Sequence, residues 1–463
     1  MGKSIRVLSM LLVVIMGLSL LGCSNTTGTP ATVATTVKKV LADADKNLVI
    51  YVWNEEFKGM FEKYYLKDHP LPTGYTYEFV INPNQNNVYQ NKLDEALLAQ
   101  GTAAVGKKID IFLVEADYAL KYVDSDYTKD VKTLGFTTAD LANQYKYTQA
   151  IATDSKGILK GLSWQATPGL FAYRRSIAKT VFGTDDPAAI QALLSDWDKF
   201  DAAAAKVKEK TSGAVTMLSG FDDSYRTFSN NVAKPWVDAK KVIQIDANIM
   251  KWVEQTKKYT DSSYNAKTIL WNDAWTQGQT SSGKVFGYFY STWGINFTLL
   301  GNSLDKKEAD GGKQVVGNGI FGDWAVCPGP QSYYWGGTWI CASSTGNTDA
   351  LVADVMRYFT VDTAAMKAYS LASQDFVNNK ESIKAITTAG YSSAFLGGQD
   401  HISLFAAAAD KINLSNITPY DQGCNECFQT AFHDYFNGTV SKDKALENFY
   451  TAVITRYPDL KKS

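Results

Sequence analysis

The sequence predicts an α/β chain of two lobes joined by three crossing strands, with a helical C-terminal third. Three observations predict this. Residues 48–114 alternate strand, helix, strand, helix, strand, the order of a parallel sheet covered by helices. The chain has 463 residues, about 440 of them after Cys23, whereas a single hydrophobic core stops growing near about 250–300. Apolar extended stretches interrupted by Pro, Gly or small polar residues occur at 161–179, 283–297 and 324–343, the form expected where a chain leaves one lobe for another.

In chain order, Lys3 and Arg6 precede an apolar run, Val7 to Leu21, that ends in Leu20-Leu21-Gly22-Cys23. These are the basic and apolar parts of an export signal, and the run is short of the ~20 apolar residues of a spanning helix. The cysteine after a small residue resembles the bacterial lipoprotein box, which implies that Cys23 becomes the lipidated first residue; an ordinary signal peptide or a short anchor are the competing readings. Residues 24–37 are rich in Thr, Ala, Gly and Pro and almost uncharged, too poor in apolar surface to offset the cost of ordering. A flexible tether is expected over 24–45.

The strands that follow end in informative residues. Leu48–Trp53 is a continuous apolar run, followed by Phe57, Met60, Phe61, Tyr64 and Tyr65 at helical spacing. Tyr75–Ile81 is the second strand, Val88–Gln100 a helix with Asn87 as its expected N-cap, and Ile109–Val114 the third strand. Open parallel sheets bind ligands beyond the carboxyl ends of their strands. Here those ends carry Trp53, Asn54, Glu55 and Glu56; then Asn82 to Asn87, with Asn84 among them; then Glu115, Asp117 and Tyr118. Phosphate recognition calls for Gly-rich turns or cations. Amides, carboxylates and flat rings without Lys or Arg suit a neutral polyhydroxylated ligand, the competing reading being caps and turn formers.

The first crossing carries Leu162 and Trp164 before Thr167-Pro168-Gly169. A helical stretch over 185–210 and a short strand, Ala214–Ser219, lead to Gly220–Arg226, with Asp222, Tyr225 and Arg226 after the strand end. Residues 246–259 form a helix, and Trp271 and Trp275 fall in a polar loop. The second crossing breaks at Ser291-Thr292 before Trp293; the third passes through a Pro, Gly and aromatic loop containing Trp335 and Gly336. From Ala350 the chain is mainly helical.

Several function classes lose support. The formal net charge is −1 with both signs interspersed, so nucleic acid is not an expected partner. Cys327, Cys341, Cys424 and Cys427 form no disulfide scaffold and no paired zinc motif. The CxxC at Cys424–Cys427 follows turn-like residues rather than a strand, leaving redox, local-disulfide and free-thiol readings open. His69, His401 and His433 lack ligand spacing, so no metal and no cofactor are expected. Gly317–Gly322 fits GxGxxG but precedes a strand, the wrong context for a dinucleotide, and no GxSxG, HExxH or P-loop occurs.

The order of these pieces resembles an extracellular solute-binding protein of the carbohydrate ABC-importer class (family 1, like the maltose-binding proteins). The pieces are the strand ending in Trp53, Ile109–Phe112 with Glu115 and Asp117 after it, Gly161–Arg175, Gly283–Phe286 leading to Trp293, Cys327-Pro328-Gly329 before Trp335-Gly336-Gly337, and Tyr435–Gly438 followed by Ser441–Leu446. Cys327 and the CxxC depart from the family's pattern. The resemblance implies two α/β lobes, closure on ligand, and docking to the transmembrane subunits of an ABC permease. Lobe 1 is expected over 46–165 and 292–337, lobe 2 over 166–291 and 338–463, with hinges at 165–167, 290–292 and 336–338. A monomer held on the extracytoplasmic side of the membrane by lipid alone is expected.

For the ligand, Trp53, Trp293 and Trp335, with Trp271 beside them, are the candidate platforms for a sugar's apolar face. Asn54, Asn84, Glu115, Asp117 and Asp222 are candidate hydrogen-bonding partners, with Tyr225 and Arg226 closing from the second lobe and Trp164 and Gly336 on the crossings. A surface glycoside hydrolase pairing Asp222 or Asp223 with Glu115, or a binding protein for peptide or polyamine, are the alternatives.

Overall fold

The continuous apolar runs become strands buried on both faces. The computed structural model describes residues 41–412, 414 and 416–463; the expected signal, Cys23 and the tether as far as residue 40 lie outside the described residues. Ten strands occur among them: β1 (Asn47–Val52), β2 (Thr76–Ile81), β3 (Ile111–Glu115), β4 (Gly161–Ser163), β5 (Gly169–Arg174), β6 (Leu218–Gly220), β7 (Asn265–Thr268), β8 (Gly287–Ser291), β9 (Trp324–Cys327) and β10 (Thr338–Ala342). The helices that matter below are α1 (Val88–Ala99), α2 (Tyr225–Ser229), α3 (Ala247–Asp261), α4 (Asp349–Thr360), α5 (Thr363–Ser373), α6 (Asp421–Phe436) and α7 (Lys442–Arg456).

The first sheet has the order β2-β1-β3-β10-β4. The three N-terminal strands are parallel, as their alternation with helices requires, and β10 runs antiparallel between β3 and β4. The second sheet is β8-β5-β9, with both neighbours antiparallel to β5; β6 and β7 form a parallel pair. Every residue of β5 is buried, which explains why it reads as an unbroken apolar run. One core packs Leu48, Ile50 and Phe57 against Met356 and Phe359 of α4. Another packs Trp252 of α3 against Phe428 of α6 and Phe449 of α7.

The crossings differ from the expected set. The first is where the sequence placed it: β4 and β5 belong to different sheets, joined by residues 164–168. The break at 290–292 is not a crossing. Ser291 ends β8 and the chain turns directly into the short helix Thr292–Gly294 and a π-helical turn, Ile295–Leu300. It then stays with the second sheet, held by Asn302 Nδ2 on Gln279, Ser281 Oγ on Asp305 and Trp324 Nε1 on Ser303. A strand-to-helix turn and a strand-to-strand crossing share the same small polar signature, which is why the sequence misleads. The passage between sheets occurs instead from β9 to β10, through residues 328–337.

The expected lobe boundaries shift accordingly. β9 pairs with β5, so 292–327 goes with the second sheet rather than with lobe 1. β10 and α4 pack with the first sheet, so 338–360 does not belong to lobe 2. A further segment, 374–379, lies beside the first crossing. Ala166 N donates to Phe376 O (3.1 Å) and Asn378 N to Trp164 O (2.9 Å) on one side; Gly169 N donates to Tyr333 O (2.7 Å) and Trp335 N to Thr167 O (3.0 Å) on the other. Three connecting segments thus run side by side, with 164–168 in the middle.

Two smaller expectations change. The last residues of the expected tether are pinned: Asp43 accepts Ala350 N and the Tyr75 hydroxyl, and Ala44 N donates to Asn347 O. Asn87 precedes α1 in the left-handed region (φ +59°) without a capping bond. Among the described residues no helix is long and apolar enough to cross a membrane, and no group of His, Cys, Asp or Glu is placed to hold a metal. Cys424 and Cys427 lie within α6 as free thiols, Cys424 buried and pushed up by that burial.

Candidate functional site: an aromatic and carboxylate cleft

The site is built where the two sheets meet. Trp271 follows β7, Trp293 follows β8, and Trp335 lies in the loop that returns to β10. Trp271 and Trp293 stack at 6.1 Å between ring centroids with 23° between planes. Trp335 stands edge-on to Trp293 (5.3 Å, 70°) and is backed by Tyr290 (6.3 Å, 19°). Trp293 Nε1 donates to Trp335 O at 2.9 Å, which fixes the ring.

Trp271 is the exceptional member. It is 55% exposed, whereas Trp335 is 8% exposed, and its φ is +70°. A bulky residue in the left-handed region is an outlier that persists only when its surroundings hold it there. Those surroundings are visible. Asn272 accepts Trp275 N (2.8 Å), and Trp275 Nε1 donates to Asp223 Oδ1 (2.9 Å). Asp223 also accepts Gly220 N (2.6 Å), and its burial pushes its carboxyl up to about 6. The loop therefore presents an aromatic plane to solvent on a rigid base.

The end of β3 supplies the polar side. Glu115 Oε2 accepts Asp117 N at 2.7 Å and caps the short turn that follows. Gly336 sits opposite with φ +67°; a Cβ there would lie 3.3 Å from Trp293 Nε1 and 3.4 Å from Glu115 Oε1. The glycine is what lets the carboxyl and the tryptophan face one another. Burial, and then the neighbouring Asp117, hold the Glu115 carboxyl well above its usual range, with Arg226 opposing them. A carboxyl accepts hydrogen bonds when ionised and can also donate one when protonated. Arg226 of α2 meets Asp117 in a bidentate pair, 2.6 and 2.5 Å, joining the end of β3 to the other side of the cleft.

The structure thus brings together Glu115, Asp117, Arg226, Trp271, Trp293, Trp335 and Gly336. Trp53 is half-buried and packs edge-on against Tyr89 and Tyr118 (5.4 and 6.5 Å). Asn54 and Asn84 are exposed at the ends of β1 and β2, and the Asn54 side chain accepts Glu56 N. Trp164 does not reach the cleft. It is 1% exposed and stacked on Phe57 in the core. Tyr225 is fully buried against Trp252, its hydroxyl on Asn425. Asp222 is buried, with His433 Nε2 at 2.7 Å. These three are buried rather than presented, because residues next to a strand end can be the floor of a site as well as its lining.

Sequence reasoning missed Asp375. It lies on the third connecting segment, accepts Phe376 N (2.8 Å), and is pushed up to about 6 by burial, the Thr292 side chain opposing. Nothing in its sequence context marks a crossing, since the segment has neither apolar run nor turn signal.

A family model described as bacterial extracellular solute-binding protein matches residues 73–393. A search of curated proteins by sequence finds no match. Among solved structures, an extracellular solute-binding protein family 1 structure is similar at TM-score 0.71 and 18% identity, covering 88% of this chain and 99% of that one. The ABC transporter associated binding protein of B. animalis subsp. lactis Bl-04, in complex with β-1,6-galactobiose, matches at TM-score 0.66 and 16% identity over 90% of this chain and 100% of its own. The galacto-N-biose/lacto-N-biose I-binding protein of Bifidobacterium longum, with lacto-N-biose, matches at TM-score 0.66 and 13% identity over 91% and 100%. With the family model spanning well over half its length, the chain belongs to the bacterial extracellular solute-binding proteins.

Proposed function

We propose that this chain is the substrate-binding component of an ABC importer, that it captures an oligosaccharide between its two sheets, and that it delivers the sugar to the transmembrane subunits of a permease. The observation that carries the reading is Trp271, half exposed at φ +70° over Trp293 and Trp335, with the Glu115 carboxyl across Gly336. A sugar ring offers an apolar C–H face and directional hydroxyls, and this arrangement has a partner for each. Relatives of the same fold captured with β-1,6-galactobiose and lacto-N-biose support the sugar class. Attachment through a lipidated Cys23 and action as a monomer complete the reading.

The surroundings of its acid pair weigh against the hydrolase alternative. Asp222 is buried against His433, and Asp223 is buried and bonded by Gly220 and Trp275, which speaks against a pair with Glu115 at an open site. The test is a thermal-shift screen of the mature protein against oligosaccharides, peptides and polyamines. A ligand bound only by the folded state raises apparent stability by RT ln(1 + [L]/Kd). Stabilisation by oligosaccharides alone is expected; stabilisation by a peptide or polyamine alone overturns the reading.

A further inference from the structure

Two adjacent carboxylates flank the Trp271 loop, and one of them is held by a helix distant in sequence. Gly220 ends β6 so close to β7 that a Cβ would lie 2.1 Å from Thr268 O, and Phe221 N donates to that same oxygen at 3.1 Å. Asp222 and Asp223 therefore pass alongside the loop that leaves β7. Asp223 holds the chain after Trp271, through Trp275 Nε1. Asp222 holds the chain before it: its Oδ2 accepts Leu270 N at 3.5 Å, one residue ahead of Trp271.

The bond to Leu270 is at the limit of hydrogen-bonding distance, so it depends on Asp222 being kept in place. The group that keeps it there comes from α6. His433 Nε2 meets Asp222 Oδ1 at 2.7 Å, in a pair whose side chains are 16% and 4% exposed. The His433 ring also packs on Phe221 (5.6 Å, 36°), and Phe436 of the same helix packs on that phenyl ring too (5.4 Å, 38°). Asp222 is too deeply buried to be presented to a ligand, so it acts through the loop. A tryptophan at φ +70° stays there while its neighbours hold it, and loss of the clamp on Leu270 leaves one side of the loop free to relax.

We propose that His433 and Asp222 are positioning residues for ligand capture: together they fix the backbone before Trp271, and with it the angle at which that ring meets a ligand beside Trp293. The identity of the ligand rests on the oligosaccharide reading above; the positioning itself does not.

The experiment compares the mature protein with three variants. His433→Leu removes the ring nitrogen, His433→Gln keeps an amide N–H that can reach Asp222, and Asp222→Asn keeps the size but leaves one acceptor oxygen for two partners. Amide hydrogen exchange of the 266–275 peptide, measured without ligand, reports local opening of the loop. Titration calorimetry with oligosaccharides of about two to six units reports binding. His433→Leu and Asp222→Asn are expected to speed exchange over 269–272 about tenfold or more and to weaken the tightest oligosaccharide about tenfold or more, with β1 and β5 unchanged. His433→Gln is expected to stay within about threefold of the unsubstituted protein on both measures.

Unchanged exchange at 269–272 in His433→Leu and Asp222→Asn overturns the proposal. So does faster exchange spread through α3, α6 and α7, the mark of a role in packing alone, and so does a looser loop with unaltered oligosaccharide affinity. A His433→Gln variant no better than His433→Leu assigns the effect to the ring's packing on Phe221 and overturns it as well. If His433→Leu does not fold, Asp222→Asn decides; if neither folds, the pair holds the core rather than the platform, and the proposal falls. If no oligosaccharide binds the unsubstituted protein, the sugar reading fails, while exchange, read without ligand, still decides the positioning.

Discussion

Trp271 and Trp164 make opposite cases for what a tryptophan does here. Trp271→Ala removes a ring already half in solvent, so the ligand-free melting temperature is expected to change little. Loss of the platform's burial is expected to weaken sugar binding by roughly 1.5–3 kcal/mol, about ten- to a hundredfold in Kd, measurable by titration calorimetry. Trp164→Ala hollows the core beside Phe57 and is expected to cost about 3–5 kcal/mol in urea unfolding. A Trp271→Ala variant that melts early yet binds normally would reverse these roles. Asp375 carries the pH prediction. Its folded value, about 6, lies above the ordinary 3.8, so the native state holds the proton more tightly than the unfolded chain. The associated stability is present below about pH 4 and is lost as pH rises through about 6, at most about 3 kcal/mol. Asp375→Asn is expected to flatten the unfolding free energy across that window; an unchanged slope would show that the carboxylate is better solvated than its surroundings indicate.

At the level of elements, the Asp117–Arg226 pair joins the end of β3 to α2. If the two side chains act on each other, a double-mutant cycle of Asp117→Ala and Arg226→Ala in urea is expected to give a coupling of about 0.5–3 kcal/mol. Coupling near zero would mean that each acts separately, Arg226 included. The same level shows what the sequence discloses. The βαβαβ opening was legible because parallel strands buried on both faces must be continuously apolar, and the ends of β1 and β3 followed from that. Glu115 and Asp117 were therefore placed at the end of β3 as a consequence of topology. The passage through 374–379 was not legible. It is held by backbone bonds to 164–168, which any residue can make, and Gln374 adopts a left-handed backbone (φ +57°) without a glycine to announce it. Trp164 and Tyr225 were misplaced for a related reason: spacing tells which face of an element a residue is on, while the depth of that face depends on helices distant in sequence.

For the molecule as a whole, the three connecting segments that lie together are where rotation of one sheet against the other is expected. Small-angle scattering is expected to give a smaller radius of gyration with saturating oligosaccharide than without; no change, with binding verified separately, would mean the free protein is already closed. Cys23→Ala is expected to leave the fold intact and to abolish lipid labelling and membrane retention in cell fractionation. The placement of β10 has a consequence for synthesis. The first sheet seats Trp339–Cys341 between β3 and β4, so this inserted strand arrives long after its neighbours have been made. A nascent chain ending anywhere before Ala342 exposes two unpaired strand edges and cannot complete this sheet. Closing so distant a pairing is slow. Completion of the first sheet is therefore expected to be a late step of folding, after β1, β2 and β3 have paired.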